Sequence, residues 1–436
     1  MTHLAVSEWG RVAIGEAGFS NEQASALVRA AQAHPLGGDE GSGIVSHRLT
    51  HLRAGQFVGV LAAEGCSLEI LPKIESDAPI GEEEAPRLRG QLVRMLAVAL
   101  DVDIGAGEAA TMGHQRISLL DILIRLFADR LLAQTRRGLP RSYLGHEDDL
   151  PALRGKLDVV RQFTINAVRP DRLACRYDAL SSDIPLLRAM KACVVFLGKH
   201  ARVPETRRRL DELRFVLSDV RDVAPREIDW KEIIVDRTSR HWTDLLNLAR
   251  MFLGRNWQAV HHDPSQIRGL SLLFPMNDLF EAYIAALLPR ALAGAGLTVD
   301  AQGGRLFCLS DEEGGQRGLF QTRPDLIIRH ASGAPALVLD TKWKRLTPRL
   351  EDAKQGVSQA DVYQLMAYAQ LYRCSELMLV YPHHRGLGME PFNRQFLIRP
   401  SHEQRLRIVS VDLAQGEGSV VAQLRQLCAA ALALAC

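Results

Sequence analysis

The chain has 436 residues, too many for one ordinary hydrophobic core, so two or three domains are expected. Hydrophobic residues form 47% of it and charged residues 24%, proportions typical of a soluble globular protein. The formal net charge of +2 does not by itself indicate a nucleic-acid-binding protein, so contacts with nucleic acid would need local basic patches. The seven cysteines form no C-x-x-C pair and no secretory or membrane-spanning segment is evident. Together these features favour reduced thiols in a cytoplasmic protein without membrane association.

The first region, residues 1–84, is predicted to be mixed α/β. Ser20 can cap a helix that runs to about Ala33, and residues 44–74 contain the short apolar runs of β-strands. The acidic stretch 75–84 contains a proline and a glycine and reads as a linker or an exposed loop. These patterns predict a small N-terminal region with its own strands.

The second region, residues 85–265, is predicted to be mainly helical, because apolar residues recur at helical spacing. Residues 141–168 are less regular and are expected to contain strands. Arginines cluster at positions 136, 137 and 141 and at 207–209. A solvated helix face is the ordinary explanation of such clusters, and contact with phosphates is the alternative. The predicted helices cover residues 118–137, 185–200, 205–217 and 243–253.

The third region, residues 266–436, shows the order helix, strands, helix, strand, strand, helix. This order is typical of an α/β fold built on a mixed sheet. Its first helix, 277–288, carries Glu281, which on periodicity alone is a solvated or capping residue. Its second helix carries Gln364 and Tyr368, which lie four residues apart and therefore share one face.

Two histidines, His383 and His384, follow the next predicted strand. Histidine pairs can bind zinc, but no third ligand lies at a suitable spacing. A loop without a metal is therefore the favoured interpretation.

Two short apolar segments of the third region flank a Ser332-Gly333 pair, which is typical of a β-hairpin loop. With those two residues as the loop, opposed positions have numbers that sum to 665, so Asp325 faces Asp340. Opposed Cβ atoms lie roughly 4.5–5.5 Å apart, and like charges there are destabilising unless a cation intervenes. Lys342 shares a strand face with Asp340. Surface acids are the alternative, but the matched register favours a Mg²⁺ site for phosphodiester hydrolysis.

Several short motifs, spread over most of the chain, occur in an order that resembles a known family. They are Phe57–Val60, Leu68–Ile74, Leu153–Asp158, Asn277–Glu281, Pro324-Asp325, Leu339–Lys344 and Tyr363–Tyr368. In this order they resemble the McrC family, the nuclease subunits of McrBC-type modification-dependent restriction systems, within the PD-(D/E)xK nuclease superfamily. The Asp-x-Lys element alone is common by chance, whereas the ordered set is fairly specific.

The resemblance implies a C-terminal PD-(D/E)xK domain, 266–436, that acts as a Mg²⁺-dependent DNA endonuclease. Asp325, Asp340 and Lys342 would be its catalytic residues, and both aspartates would bind the metal. The backbone carbonyl of Thr341 and the side chain of Glu281 would complete the metal site. A lysine among carboxylates is held in its charged form, so electrostatic stabilisation by Lys342 is favoured over general-base catalysis.

The resemblance also implies partners. Gln364 and Tyr368 resemble the Q-x-x-x-Y signature of RecB-like nucleases, where it positions the DNA backbone. The chain has no P-loop, so it should bind no nucleotide itself and should depend on a McrB-like AAA+ GTPase hexamer. Residues 1–84 are expected to dock on that partner and to stimulate it, and the partner would read the modified base. Two alternatives remain open: a free-standing RecB-like DNA repair nuclease, and a catalytically silent adaptor of an AAA+ motor.

Overall fold

The computed structural model describes most of the chain. The described residues are 2–37, 43–74, 81, 84–101, 118–169, 171–236, 239–253, 258–259, 271–310, 318–347, 356–399 and 403–432. Most of the acidic stretch predicted as a linker, 75–84, lies outside them. Within these ranges, no helix is long and apolar enough to cross a membrane.

The chain folds as two compact units. The first contains Met1–Leu119 and Arg255–Cys436, and the second contains Leu120–Gly254. This grouping differs from the three expected regions, 1–84, 85–265 and 266–436. Strands from the first and the third of these regions share a sheet, so the two regions fall into one unit. The second unit is therefore inserted in sequence between two parts of the first.

In its described residues, the N-terminal part of the first unit combines strands with two helices. Its first helix begins where the sequence predicts, because Ser20 Oγ accepts from Gln23 N at 3.2 Å and Gln23 Oε1 accepts from Ser20 N at 3.1 Å. This reciprocal capping box satisfies two backbone donors at the helix start. The elements are β1 (Thr2–Ser7), β2 (Arg11–Ala13), α1 (Asn21–Gln32), β3 (Val45–His47), β4 (His51–Ala54), β5 (Phe57–Ala63), β6 (Cys66–Leu71) and α2 (Glu84–Ala99).

The second unit combines helices with one long β-hairpin. The predicted helices are all present, with ends within two residues of those expected. The hairpin joins nine residue pairs, from Ser142 opposite Ser181 to Leu150 opposite Leu173. The elements are α3 (Leu119–Arg137), β7 (Ser142–Leu150), β8 (Lys156–Leu157), α4 (Val159–Thr164), β9 (Leu173–Ser181), α5 (Pro185–Gly198), α6 (Pro204–Val216) and α7 (Thr243–Leu253).

The tip of this hairpin exposes apolar side chains. Between β7 and β9 the chain forms β8 and the short helix α4, so the irregular segment predicted at 141–168 contains a helix as well as strands. Val160 and Phe163 are each 74% exposed, and Val168 is 85% exposed. We call the segment Leu153–Val168 the hairpin tip. Most of the apolar side chains of this described segment are therefore exposed.

The C-terminal part of the first unit is an α/β fold. A six-stranded sheet has the order β12-β15-β16-β17-β19-β18, with parallel pairs at its centre and antiparallel pairs at both sides. The predicted mixed sheet is confirmed. The elements are β10 (Gln258–Ala259), β11 (Ser271–Pro275), α8 (Met276–Ala291), β12 (Leu297–Ala301), β13 (Phe307–Ser310), β14 (Gly318–Gln321), β15 (Leu326–His330), β16 (Pro335–Thr341), α9 (Gln359–Leu371), β17 (Glu376–Pro382), β18 (Asn393–Leu397), β19 (Arg405–Val411) and α10 (Glu417–Leu432).

The centre of this sheet is covered on both faces. All seven residues of β17 are buried, although successive residues of a strand point to opposite faces. Ile327, Val338 and Leu377 pack with Leu365 and Ala369 of α9 in one continuous core. Such continuous apolar runs are typical of strands buried on both sides.

One strand was not predicted. Two strands were expected between α9 and the last helix, whereas the structure has three, β17, β18 and β19. All five residues of β18 are exposed, and the strand lies at the edge of the sheet. An edge strand without a buried face has no apolar alternation, so its sequence carries little signal.

A second sheet joins strands from the N-terminal part of the first unit to strands from the start of its C-terminal part. Its order is β1-β6-β5-β11-β10, and β11 pairs antiparallel with β5, with Leu272 opposite Val60. Gly59 has a φ of +126°, and a Cβ there would lie 2.0 Å from the carbonyl oxygen of Leu272. Glycine is required at this close approach of two backbones.

Candidate active site

The predicted hairpin has the expected register but a longer loop. Leu326 lies opposite Leu339 and Ile327 opposite Val338, so the pair numbers sum to 665 as predicted. The loop is not the two residues Ser332-Gly333 alone, because His330 N donates to the carbonyl oxygen of Ala334 at 3.0 Å. A register shift after Ile328 compensates for the longer loop. The ends of β15 and β16 therefore meet as predicted.

Asp325 lies immediately before β15 and is anchored to the opposite strand. Its Oδ2 accepts from Thr341 N at 2.7 Å and from Thr341 Oγ1 at 2.8 Å. These two bonds fix the carboxylate beside the residue that follows Asp340. The hairpin therefore brings Asp325, Asp340 and Thr341 together at one strand end.

Asp340 is the most deeply buried group of the site, with 1% of its surface exposed. Its Oδ2 lies 2.5 Å from Lys342 Nζ, while both carboxylate oxygens fail to make a well-directed hydrogen bond with described atoms. Burial raises its pKa to about 6, and the nearby Asp325 adds to the rise, while Lys342 opposes it. Lys342 is the one described cation at this carboxylate, and a buried carboxylate with so few hydrogen bonds is costly unless a further cation is supplied.

Lys342 is held in its charged form. Burial lowers the pKa of its ammonium group, but Asp340 and Asp325 outweigh burial and raise the pKa above its ordinary value. The expected role as a fixed positive charge is consistent with this balance, because a proton held so firmly is poorly available for exchange.

Glu281 lies on α8 next to the hairpin carboxylates. Burial and the charge of Asp325 raise its pKa to about 7, and its Oε1 accepts from Gln302 Nε2 at 2.9 Å. Asp278, one turn earlier, also has its pKa raised by partial burial and by Asp325. Asp278 was not predicted as a site residue, although its spacing of three from Glu281 places both on one helix face.

The metal-binding set is incomplete as the side chains stand. Within the described residues, no three His, Cys, Asp or Glu side chains converge into a group that could hold a metal ion. Glu281 is engaged by Gln302, and one oxygen of Asp325 is engaged by Thr341. The arrangement is a pair of carboxylates with a lysine, next to the backbone of Thr341. The poorly satisfied oxygens of Asp340 are the feature that fits a divalent cation.

Gln364 and Tyr368 share a face of α9, as predicted. Gln364 Nε2 donates to the Tyr368 hydroxyl at 2.7 Å. Burial raises the pKa of Tyr368, and the charges of Asp340 and Asp325 add to the rise. The pair therefore lies within electrostatic reach of the hairpin carboxylates. On the same helix, the buried Asp361 pairs with Lys344 at 2.9 Å.

Two other predicted features make contacts within the fold. His383 contacts Ser410 Oγ at 3.0 Å, and His384 Nε2 contacts the carbonyl oxygen of Leu346 at 2.8 Å. In the second unit, Arg209 forms ion pairs with Asp129 and Glu205. These contacts account for the histidine pair and for part of one arginine cluster within the fold itself.

Known proteins are similar to this chain along most of its length. The family model described as "McrBC 5-methylcytosine restriction system component" matches residues 52–382. A chain of the refined half-complex from the tetradecameric assembly of Thermococcus gammatolerans McrB AAA+ hexamers with bound McrC is similar in fold, with a TM-score of 0.71. The sequence identity is 19%, and the alignment covers 98% of this chain and 100% of that chain.

A second solved structure agrees. A chain of the cryo-EM structure of the Thermococcus gammatolerans McrBC complex has a TM-score of 0.54 and 20% identity, with 67% of this chain and 88% of that chain covered. No curated protein matches the chain. The solved structures establish the fold, and the family model covers well over half of the chain. This chain therefore belongs to the McrBC restriction-system component family, as its ordered motifs predicted.

Proposed function

We propose that this chain is the nuclease subunit of a McrBC-type restriction complex and that it hydrolyses DNA phosphodiester bonds with Mg²⁺. The observation that carries the proposal is the pairing of the buried Asp340 with Lys342 at 2.5 Å, across the hairpin end from Asp325. The intact Asp, Asp and Lys set also favours an active enzyme over a silent adaptor. The proposed place of action is the cytoplasm, where restriction of incoming DNA occurs.

The proposed metal ligands are oxygen atoms, as Mg²⁺ requires. Asp325 and Asp340 would supply carboxylates, Thr341 its backbone carbonyl, and Glu281 a further carboxylate, directly or through water. When bound, Mg²⁺ lowers the pKa of its water and polarises the scissile phosphate. The raised pKa values of Glu281 and Asp340 reflect burial and like-charge repulsion, and a bound dication relieves both.

Lys342 would stabilise the negative charge that develops on the phosphate during hydrolysis. Its ammonium group is held charged and is fixed by Asp340, so it needs little reorganisation during the reaction. Gln364 and Tyr368 would position the DNA backbone beside the carboxylates. In this division of roles, residues at the end of the β15–β16 hairpin carry out the hydrolysis, and α9 orients the substrate.

The proposed partner is a McrB-like AAA+ GTPase hexamer. One solved structure with this fold contains McrB AAA+ hexamers with bound McrC, and this chain has no P-loop of its own. Residues 1–84 were the predicted docking region. The exposed apolar side chains of the hairpin tip make it a second candidate, since such surfaces on a stable protein are typical of interaction sites.

The test is reconstitution of cleavage. The purified chain is mixed with its candidate AAA+ partner, GTP and Mg²⁺, and methylated and unmethylated plasmids are compared. Cleavage of methylated plasmid that needs GTP and the partner supports the proposal. Equal cleavage without the partner would favour a free-standing nuclease, and no cleavage with a partner that is nonetheless stimulated would favour a silent adaptor.

A further inference from the structure

Trp343, directly after the catalytic lysine, lies where three segments of the first unit meet. It is 6% exposed, and its ring packs edge-on against Phe280 with centroids 5.3 Å apart. Phe280 precedes Glu281 on α8. The indole Nε1 donates to Glu8 Oε2 at 2.8 Å, although the two residues are 335 positions apart.

Glu8, at the end of β1, is an unusual residue to bury. It is 1% exposed, and the same oxygen, Oε2, also accepts from Lys73 N at 3.0 Å. The other oxygen, Oε1, accepts no hydrogen bond from the described atoms. Burial raises the pKa of Glu8 to about 7, against the opposing hydrogen bonds from Lys73 and Trp343. An apolar residue would fill this space at lower cost, so the carboxyl group points to a role beyond packing.

A second tie holds the backbone of Trp343. Gln56 Nε2 donates to the carbonyl oxygen of Trp343 at 3.2 Å and to Asn277 Oδ1 at 3.1 Å. Met276 N donates in turn to the carbonyl oxygen of Gln56 at 3.2 Å. The indole and the backbone of Trp343 are therefore both held by residues from the first 56 positions of the chain.

These ties act where the catalytic strand ends. β16 stops at Thr341, and Lys342 keeps one backbone bond, from its N to the carbonyl oxygen of Val380 at 2.9 Å. Beyond that bond, Trp343 is the next fixed point along the chain. A catalytic side chain must be held to within roughly 0.5 Å of its working position, which requires supporting contacts of this kind.

We propose that Glu8 is a positioning residue that acts through Trp343 to hold Lys342 and Asp340 in their working arrangement. A residue from the N-terminal region thus supports the nuclease centre, in addition to any role of that region in docking. This inference rests on the proposed nuclease function and names a contributor to it from outside the nuclease domain. Glu8 touches neither the carboxylates nor the lysine, so its effect must pass through the indole.

The experiment measures single-turnover cleavage by the full-length chain with its AAA+ partner, GTP, Mg²⁺ and methylated DNA. Glu8→Ala should lower the rate constant by about 10- to 100-fold, the range seen when supporting residues of metal sites are removed. DNA affinity should not change. Glu8→Gln should retain most of the rate, because its amide oxygen can still accept from the indole.

Trp343→Phe tests the same link from its other end. It keeps an aromatic ring near Phe280 but removes the N–H donor, so it should resemble Glu8→Ala. The double variant should be no slower than the slower single one, because both changes break one interaction. Additive losses would show that Glu8 and Trp343 act independently and would overturn the proposal.

Glu69→Gln is the matched control. Glu69 is also fully buried in the same sheet, where it pairs with Arg89 at 2.6 Å and with His3 at 3.0 Å, away from Trp343. This variant should lower thermal stability without changing the cleavage rate constant. If Glu8→Ala lowers only the fraction of active protein and leaves the rate constant unchanged, its role is structural and the inference fails.

The outcomes separate the two proposals. If the wild-type complex does not cleave DNA, the proposed function itself is wrong. If Asp340→Ala is inactive while Glu8→Ala cleaves at the wild-type rate, the nuclease function stands and the positioning role falls. Should Glu8→Ala not fold, Trp343→Phe and Glu8→Gln still give the comparison.

Discussion

The six-stranded sheet and the long β7–β9 hairpin are built from the same kind of element but are stabilised differently. Every residue of β17 is buried, whereas no residue of β7 is. The hairpin relies on polar and aromatic pairs: Tyr177 donates to Asp148 Oδ2 at 2.8 Å and stacks on His146 at 5.4 Å. Such cross-strand pairs each contribute about 0.2–1 kcal/mol. The six-stranded sheet is thus suited to fix the positions of the site residues. The β7–β9 hairpin is suited to present a surface to a partner.

The largest expected effect concerns the sheet. Asp340→Ala should lower DNA cleavage by about three orders of magnitude or more, because a proposed metal ligand is lost. Thermal stability without metal should be unchanged or slightly higher, since the loss of a buried carboxylate that Asp325 repels offsets the loss of its ion pair with Lys342. Plasmid cleavage and a melting curve on the same preparation measure both. Retained cleavage would contradict the proposal that Asp340 on this sheet binds the catalytic metal.

Lys342→Ala should lower cleavage by about 10²- to 10³-fold, as expected for the loss of one fixed charge at the reacting phosphate. It should still bind Mg²⁺ through Asp325 and Asp340. Lys342→Arg should not restore the rate, because a planar guanidinium cannot replace a compact ammonium beside Asp340. Rates and Mg²⁺ titrations of both variants provide the measurement. A wild-type rate for the arginine variant would show that only the charge matters.

Leu377→Ala tests where the stability of the sheet originates. Leu377 is fully buried in β17, so its truncation should lower the free energy of unfolding by about 2–5 kcal/mol. Val160→Ser at the hairpin tip, where the side chain is 74% exposed, should change it by less than about 0.5 kcal/mol. Denaturant titrations compare the two. Similar losses would contradict the contrast drawn between these regions.

Phe163→Ser tests what the hairpin presents. If the tip docks on the AAA+ partner, this change should weaken binding by about 2 kcal/mol, the scale of an interface hot spot. The fold should be intact and GTP turnover by the partner should be less stimulated. Exposed Phe215 lies outside the tip, so Phe215→Ser is the matched control. If the Phe163→Ser variant stimulates GTP turnover of the partner fully, docking by the hairpin tip is excluded, and residues 1–84 are favoured as the docking region.

The last expected effect is a pH dependence of the second unit. Burial, with the nearby Lys199 and Arg202, lowers the pKa of His200 to about 4 from an ordinary value of 6.5. The unfolded chain therefore binds the proton more readily, and stability should fall as the pH drops from about 6.5 towards 4. His200→Gln should flatten this part of the stability profile. Parallel denaturant titrations at several pH values between these limits measure the difference.

Local patterns were enough to predict the β15–β16 hairpin, on which the proposed active site lies. The Ser-Gly loop and the two apolar runs fixed which residues oppose each other, and the register sum of 665 holds even though the loop is longer. Helices with continuous apolar stripes were predicted to within a few residues because their period is local. The position of Asp325 opposite Asp340 follows from the same short-range information.

The missing parts depend on distant or weakly patterned residues. The exposed edge strand β18 has no buried face to produce an alternation. The contact of Glu8 with Trp343 spans most of the chain, and a lone glutamate after a strand carries no mark of it. The same holds for the pairing of β5 with β11, which joins a strand of the first predicted region to a strand of the third. Periodicity reports which face is buried, not which partner buries it.

That pairing has a consequence for synthesis of the protein on the ribosome. β5 ends at Ala63 and β11 begins at Ser271, so about 200 residues must be made between them. At roughly 5–20 residues per second, this takes on the order of 10–40 s. During that interval one edge of the apolar strand β5 has no neighbour, and such edges are prone to wrong pairing. The nascent chain should therefore depend on chaperones until β11 has paired with β5.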